Sequence, residues 1–135
     1  MDNTIKSLSE YRLSKSRSDL EAAKILFQSN LYAQSVNRSY YSIFHAVRAM
    51  LAFDRFDSKK HSGIIAYFNE HYIKTGLIEK EYSVYIMSAE RIRTESDYDD
   101  LFVASKDQVE KQIENAEKFI MRISSSIKEK YSSSV

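Results

Sequence analysis

Apolar side chains recur along this chain at intervals of three and four residues, which is the spacing of one face of an α-helix. Sustained two-residue alternation, the pattern of a half-buried strand, is missing, and no repeat occurs at the spacing of a solenoid protein. The pattern predicts five amphipathic helices. They are expected at about residues 8–29, 31–53, 59–75, 77–93 and 106–130.

Polar residues at the ends of these segments supply start and stop signals. Ser7 with Glu10, and Ser105 with Gln108, have the spacing of a capping box, in which two side chains satisfy each other's free backbone N–H groups. Further signals are an N-cap for the second helix, an N-cap for the third and a glycine that ends the third: Asn30, Ser58 and Gly76.

Amphipathic helices with short links predict an all-α fold, a four- to five-helix, mostly antiparallel up-and-down bundle. The chain of 135 residues is expected to form a single domain over residues 1–135. The acidic segment 95–100 is expected to be a loop, and residues 131–135 a frayed tail. A content of 2 Gly and 0 Pro agrees with this fold, because these residues are the strongest helix breakers.

Composition excludes several classes of protein. With 43% hydrophobic residues and a net charge of +1, the chain lacks the features of a disordered protein and of a dedicated duplex binder. With 0 Cys it has neither a disulfide framework nor a thiolate metal site. No apolar stretch approaches the ~20 residues that cross a bilayer, and the first residues contain no apolar signal core. A cytoplasmic protein without membrane contact or cofactor is expected.

The second predicted helix carries an arginine and a histidine on one face. His45 follows Arg38 by seven residues, nearly two turns, so the two directions differ by about 20°. Ser42 and Ala49 lie within about 40° of the same line, and Tyr41 within about 60°. The apolar residues of this helix centre on the opposite side, so the Arg–His face is predicted to point away from the core.

These residue types suit phosphodiester chemistry. The planar guanidinium of Arg38 matches phosphate oxygens. The same cation lowers the pKa of the His45 imidazole, which favours a neutral, base-competent ring. Tyr41 and Ser42 on this face are the candidate substrate contacts. Arginine and histidine at this spacing are also common on solvated or interface faces, which is the alternative interpretation of the same pattern.

The segment from Asn37 to Ala46 resembles the signature of the HEPN superfamily, an Arg and a His separated by four to six residues on a helix. Two later segments resemble one small stand-alone HEPN family. They are Lys60-His61-Ser62-Gly63 with Phe68, and Arg93 followed by Ser96-Asp97-Tyr98-Asp99.

The resemblance implies a helical bundle that forms a homodimer and cleaves RNA without metal in a composite cleft. In such an enzyme Arg38 would hold the scissile phosphate, and His45 would act as general base or acid. Many members of this family are toxins encoded beside a small nucleotidyltransferase antitoxin. Many active members have Asn, Asp or His after the motif Arg, whereas this chain has Ser39. The alternative is a catalytically inactive interaction module that binds a nucleotidyltransferase or nucleic acid.

Other polar residues have simpler interpretations. His61 and His71 differ by about 80° around a helix, so they are not expected to share a metal ion. The acidic residues near Asp97 are expected to form a salt bridge with Arg91 or Arg93 rather than a cation site. No metal site is predicted.

Overall fold

The computed structural model describes residues 3–132, and within that range it contains five α-helices and no strand. Helices α1 and α2 cover Asn3–Gln28 and Tyr32–Leu51, and a 3-10 turn at Ala52–Asp54 follows. Helix α3, His61–Phe68, continues into a π-helical turn at Asn69–Ile73. Helices α4 and α5 cover Lys80–Tyr98 and Lys106–Ser132. The predicted all-α bundle is confirmed.

Helix α2 is the centre of the bundle, and it packs against α1, α4 and α5. Twelve of its twenty residues are buried. Large apolar side chains such as Tyr40, Ile43 and Met50 are fully enclosed, together with Phe119 of α5. Only the narrow remaining strip of α2 can therefore carry functional side chains.

Small residues allow α1 to lie close against α2. Ser9 Oγ donates to the Ala49 carbonyl (2.8 Å), and Ser16 Oγ donates to the Ser42 carbonyl. In the same row, Ser35 Oγ donates to Ala23 O (2.8 Å). From one contact to the next, the residue number rises by seven in α1 (9, 16, 23) and falls by seven in α2 (49, 42, 35). The two helices are therefore antiparallel, and their register is fixed by three buried hydrogen bonds.

Several predicted helix ends are confirmed. Ser105 and Gln108 form the reciprocal capping box, with Ser105 N to Gln108 Oε1 at 3.0 Å and Gln108 N to Ser105 Oγ at 3.1 Å. Gly76 has a φ of 81°, a left-handed conformation that glycine adopts without steric cost. Arg93 and Asp97 form the expected salt bridge, with 3.3 Å between Nη1 and Oδ2.

Other predicted ends of the first three helices are wrong. Helix α1 begins at Asn3, so Ser7 and Glu10 lie inside it and form no capping box. Asn30 does not cap α2, because its φ of 62° places it in the left-handed turn that follows α1. Ser58 Oγ accepts from Lys60 N (3.2 Å) in the turn before α3, so it stabilises that turn and not the helix itself.

The predicted ends of the last two helices also need correction. Helix α4 begins at Lys80 and continues through Tyr98, so the first four of the six residues of the acidic segment 95–100 are helical. The pairing of Asp97 with Arg93 one turn earlier stabilises this extension. Tyr131 and Ser132, part of the tail that was expected to fray, lie in α5. The ring of Tyr131 packs on Phe53 with centroids 5.4 Å apart, and residues 133–135 lie outside the described range.

No helix within residues 3–132 is both long enough and apolar enough to cross a membrane.

Candidate functional site

Arg38 and His45 lie on the strip of α2 that borders α1. The side chain of Arg38 is 38% exposed, and that of His45 is 12% exposed. The seven-residue spacing places them on one side of α2, as the sequence predicts. Both reach the surface beside the serine row, which is the set of three buried serines that bond α1 to α2: Ser9, Ser16 and Ser35. Arg38 is open to a ligand, whereas His45 is presented only through a narrow opening.

An aspartate of α1 joins the two residues. Asp19 Oδ1 accepts from Arg38 Nη1 at 3.1 Å, and Asp19 Oδ2 lies 3.7 Å from His45 Nε2. The register fixed by the serine row brings this carboxylate opposite the middle of the motif. Sequence reasoning missed Asp19, because nothing in the pattern of the first helix links it to the second.

Asn37 holds the guanidinium of Arg38 from the other side. Its Oδ1 accepts from Arg38 Nε (3.1 Å) and from Nη2 (2.7 Å). Ser39 cannot take this part, since it is buried and its Oγ donates to the Val36 carbonyl (3.0 Å). The amide that orients the motif arginine therefore precedes it in this chain, and the residue that follows the arginine is turned into the core.

Tyr41 lies between the two motif residues, as predicted. Its ring centroid is 4.9 Å from Arg38 Cζ, a cation–π contact, and 5.8 Å from the ring of His45. The side chain is half-buried, so one part of the ring is available to a ligand. Stacking of a base on such an exposed aromatic surface is a common mode of single-strand recognition.

The prediction that Ser42 contacts substrate is wrong for this chain. Ser42 is fully buried, and its Oγ donates to the Ser39 carbonyl at 2.7 Å. Ala49, on the same line of the helix, is also fully buried. The small residues that were expected to admit a ligand instead admit α1, so the open strip is narrower than the helical projection suggests.

Burial keeps the His45 imidazole neutral. Loss of water contact lowers the pKa of His45 to about 4; the Asp19 carboxylate opposes this shift, and Lys15, Arg48 and Arg38 add to it. The predicted direction is confirmed, but desolvation is its largest cause and Arg38 a small one. His45 Nδ1 is buried without a hydrogen-bond partner. A neutral ring can accept a proton, which is the property a general base requires, and Nε2 is the nitrogen that can do so from the surface, because Nδ1 is enclosed.

His61 and His71 occupy separate places. His61 packs against Phe44 with ring centroids 4.2 Å apart, while the exposed His71 lies against Tyr67 at 4.1 Å. Throughout the described chain, His, Asp and Glu side chains nowhere gather in a group of three that could hold a metal ion.

Comparison with known proteins gives a consistent family. The family model of the HEPN domain matches residues 9–127. A protein of Methanocaldococcus jannaschii named "Putative toxin MJ0605" is 37% identical over 111 residues, 82% of this chain and 82% of the relative. A second protein of that organism, "Putative toxin MJ0142", is 36% identical over 75% of this chain and 69% of its own length. A "UPF0332 protein" of Thermotoga maritima is 32% identical over 87% of this chain and 89% of its own.

Proposed function

This chain belongs to the HEPN domain family, and we propose that it is a metal-independent endoribonuclease that cleaves RNA with Arg38 and His45. The observation that carries the proposal is the surface strip on which Asp19 joins an exposed guanidinium to a neutral imidazole. Such a pair provides both an anion ligand and a base without any metal.

In the proposed reaction His45 removes the proton of a ribose 2′-hydroxyl. The 2′-oxygen attacks the adjacent phosphorus, and the bond to the 5′-oxygen of the next nucleotide breaks. Arg38 donates to the phosphate oxygens and stabilises their added negative charge in the transition state. The departing 5′-oxygen takes a proton, so the products are a 2′,3′-cyclic phosphate and a 5′-hydroxyl. Tyr41 contacts a base beside the scissile phosphate.

We further propose that the enzyme acts as a homodimer. In an in-line displacement the departing oxygen lies opposite the attacking 2′-oxygen, so the His45 that takes the 2′-hydroxyl proton does not reach it. The motif strip of a second copy, placed opposite, provides a second His45, which takes up a proton from solvent beside the phosphate anion and donates it to the departing oxygen. The first His45 then releases the 2′-hydroxyl proton to solvent. The motif strip, in which 12% of the His45 side chain is exposed, then forms one wall of a cleft between two chains.

The proposal includes a biological role as the toxin of a toxin–antitoxin pair whose antitoxin is a small nucleotidyltransferase. Two of the relatives described above have "Putative toxin" in their names, and uncontrolled cleavage of cellular RNA is one way in which such a protein could act. Co-purification of the tagged chain with the product of an adjacent nucleotidyltransferase gene tests this part of the proposal. Recovery of the chain without that product contradicts it.

A second candidate function is an inactive HEPN module that binds a nucleotidyltransferase or nucleic acid. It is favoured by the partners that Arg38 already has, because Asp19 and Asn37 accept from three of its five N–H groups. In this case the strip is a binding surface, and no bond is broken there.

Cleavage of labelled RNA by purified protein in excess EDTA separates the two functions. Arg38→Ala and His45→Ala are the test variants, and His71→Ala is the matched control, because His71 is an exposed histidine far along the chain from the motif. We expect wild type and the control to cut and each motif variant to lose about 100-fold or more in rate. End-group analysis should find the cyclic phosphate, and light scattering should find a dimer.

The proposal of an endoribonuclease fails if folded wild-type protein leaves RNA intact or if the motif variants cut as well as wild type. A strict monomer that still cuts would overturn the composite cleft alone.

A further inference from the structure

His61 stands beside the Arg–His strip although it lies on a different helix. It is the first residue of α3, and its ring is 5.7 Å from that of Tyr41 and 4.2 Å from that of Phe44. Tyr41 in turn contacts Arg38 and His45. One half-buried tyrosine is therefore surrounded by an arginine and two histidines, of which the proposed reaction uses only one histidine.

A buried hydroxyl holds one ring nitrogen of His61. The hydroxyl of Tyr40 is 3.0 Å from His61 Nδ1, and Tyr40 is fully buried. Burial and a hydrogen bond to the Glu90 carboxylate raise the pKa of the Tyr40 hydroxyl above its ordinary range, so the phenol keeps its proton. Donation of this single proton to Nδ1, rather than to Glu90, puts the ring proton of a neutral His61 on Nε2, and this arrangement is part of the proposal below.

The remaining nitrogen of His61 is available to a ligand. Within residues 3–132, Nε2 has no hydrogen-bond partner and is not among the buried polar atoms, so it meets solvent. The charged groups that act on the ring are Arg93 and Glu90 of α4 and Arg48 of α2. Both cations are paired with carboxylates, Arg93 with Glu90 and Asp97 and Arg48 with Asp57, so the N–H group itself is the feature that would bind an anion here.

The turn before α3 fixes the position of the ring. Ser58 Oγ accepts from Lys60 N, and a Cβ placed on Gly63 would lie 2.5 Å from that oxygen. Glycine at this position lets the turn close over the first turn of α3. Arg93, whose guanidinium lies 4.7 Å from the Tyr40 ring centroid, packs against the phenol that holds His61. Both later segments of the family resemblance thus contribute to the placement of one imidazole.

We propose that His61 is a third RNA-contacting residue, which donates from Nε2–H to a phosphate oxygen next to the phosphate held by Arg38, and that Tyr40 is its positioning residue. The geometry that carries this is the Tyr40 to His61 hydrogen bond together with the packing of His61 on Tyr41. The inference rests on the proposed function, because it assumes that the strip binds RNA.

Binding of an uncleavable 2′-O-methyl RNA oligonucleotide at fixed salt tests the inference apart from cleavage. We expect His61→Ala to weaken binding by about 10-fold, the loss of one hydrogen bond to a charged group. His61→Gln should recover part of the loss, because its amide can donate from a similar position. His71→Ala is the control and should bind like wild type. Circular dichroism confirms that each variant is folded.

Tyr40→Phe provides the readout for positioning. We expect it to weaken binding in the same direction as His61→Ala but less, and to add nothing when His61 is already alanine. Nitrogen-15 NMR of the imidazoles should find the Nε2–H form of His61 in wild type and a mixed population in Tyr40→Phe. A wild-type ring protonated on Nδ1 alone would overturn the inference.

The outcomes separate this inference from the proposed function. If RNA is cut but His61→Ala binds and cuts like wild type, the role of His61 is wrong and the endoribonuclease stands. If RNA is not cut but His61→Ala binds it more weakly than wild type, cleavage is wrong and the role of His61 stands. If the wild-type chain neither cuts nor binds RNA, both are wrong.

Discussion

The neutral state of His45 has a cost that appears in the pH dependence of folding. In the unfolded chain its imidazole has the ordinary pKa of 6.5, and in the folded chain burial lowers the pKa to about 4. Between pH 6.5 and about pH 4, the His45 imidazole binds a proton in the unfolded state but not in the folded state. The free energy of unfolding is therefore fully retained above pH 6.5, and it falls as the pH decreases from 6.5 towards 4.

The size of this effect follows from the two pKa values. A difference of about 2.5 units corresponds to roughly 3 kcal/mol when titration is complete, and about 2 kcal/mol of it is already lost at about pH 5. Since only 12% of the side chain is exposed, solvent screening reduces this value little. Most carboxylates are still ionised at that pH, so the His45 contribution can be separated from acid unfolding.

Urea unfolding followed by circular dichroism, at several pH values from about 7.5 to about 5, measures this loss. His45→Gln removes the titrating group. On acidification to about pH 5, wild type should therefore lose about 2 kcal/mol more of its free energy of unfolding than the variant loses. His71→Gln is the control and should keep the wild-type slope, because His71 is exposed. Protein concentration is held constant, since any association between chains would also contribute to stability.

His61 also has a lowered pKa, caused first by desolvation and then by Arg93, so it too lowers the free energy of unfolding at acidic pH. Because wild type and His45→Gln share this contribution, the difference between their free energies of unfolding isolates the effect of His45. The reasoning is refuted if His45→Gln loses stability as steeply as wild type, or if NMR titration finds an ordinary pKa for His45 in the folded chain.

Two further predictions concern the contact between α1 and α2. Asp19→Asn should lower the pKa of His45 further, because the carboxylate is the group that raises it, and NMR titration of the imidazole measures the shift. An unchanged or higher pKa would contradict this. Ser16→Ala should lower the free energy of unfolding by about 1 kcal/mol, because the buried bond to the Ser42 carbonyl is lost. In urea unfolding, a loss near zero would show that this bond is not stabilising.

Helix number and the Arg–His pair could be predicted from the sequence because both depend on local spacing. The period of apolar residues determines which side of a helix is buried, and a seven-residue interval returns to nearly the same side. The capping box of Ser105 and Gln108 is local in the same sense and is confirmed. The early start of α1 at Asn3 was missed because ordinary polar residues continue a helix without any apolar signal.

The burial of Ser42 shows where local reasoning ends. A projection of the second helix separates apolar from polar positions, and it assigns serine and alanine to the exposed side. Close helix contacts use just such residues, because a small side chain lets two backbones approach. Ser9 and Ser16 recur at the same seven-residue interval in the first helix, so the matched rows of small residues were a signal that could have predicted this contact.

Asp19 and His61 depend on tertiary placement, and no spacing along the chain identifies them. Asp19 lies on α1 and acts on α2, while His61 begins α3 and meets α2 through Tyr40 and Phe44. Neither differs in character from the polar residues that surround it in its own segment. The resemblance to the HEPN family includes the segment that contains His61, but only the structure places the His61 ring beside Tyr41 and the Arg–His strip.

The serine row links the stability of the bundle to the chemistry proposed for its surface. A shift of α1 by one turn along α2 would move Asp19 by about 5.4 Å, which would break its contacts to both Arg38 and His45. The buried bonds of Ser9, Ser16 and Ser35 oppose that shift because each needs its own carbonyl partner. The small residues first interpreted as an opening for substrate thus have another function. They hold Asp19 in place between Arg38, which is proposed to bind phosphate, and His45, which is proposed to accept the proton.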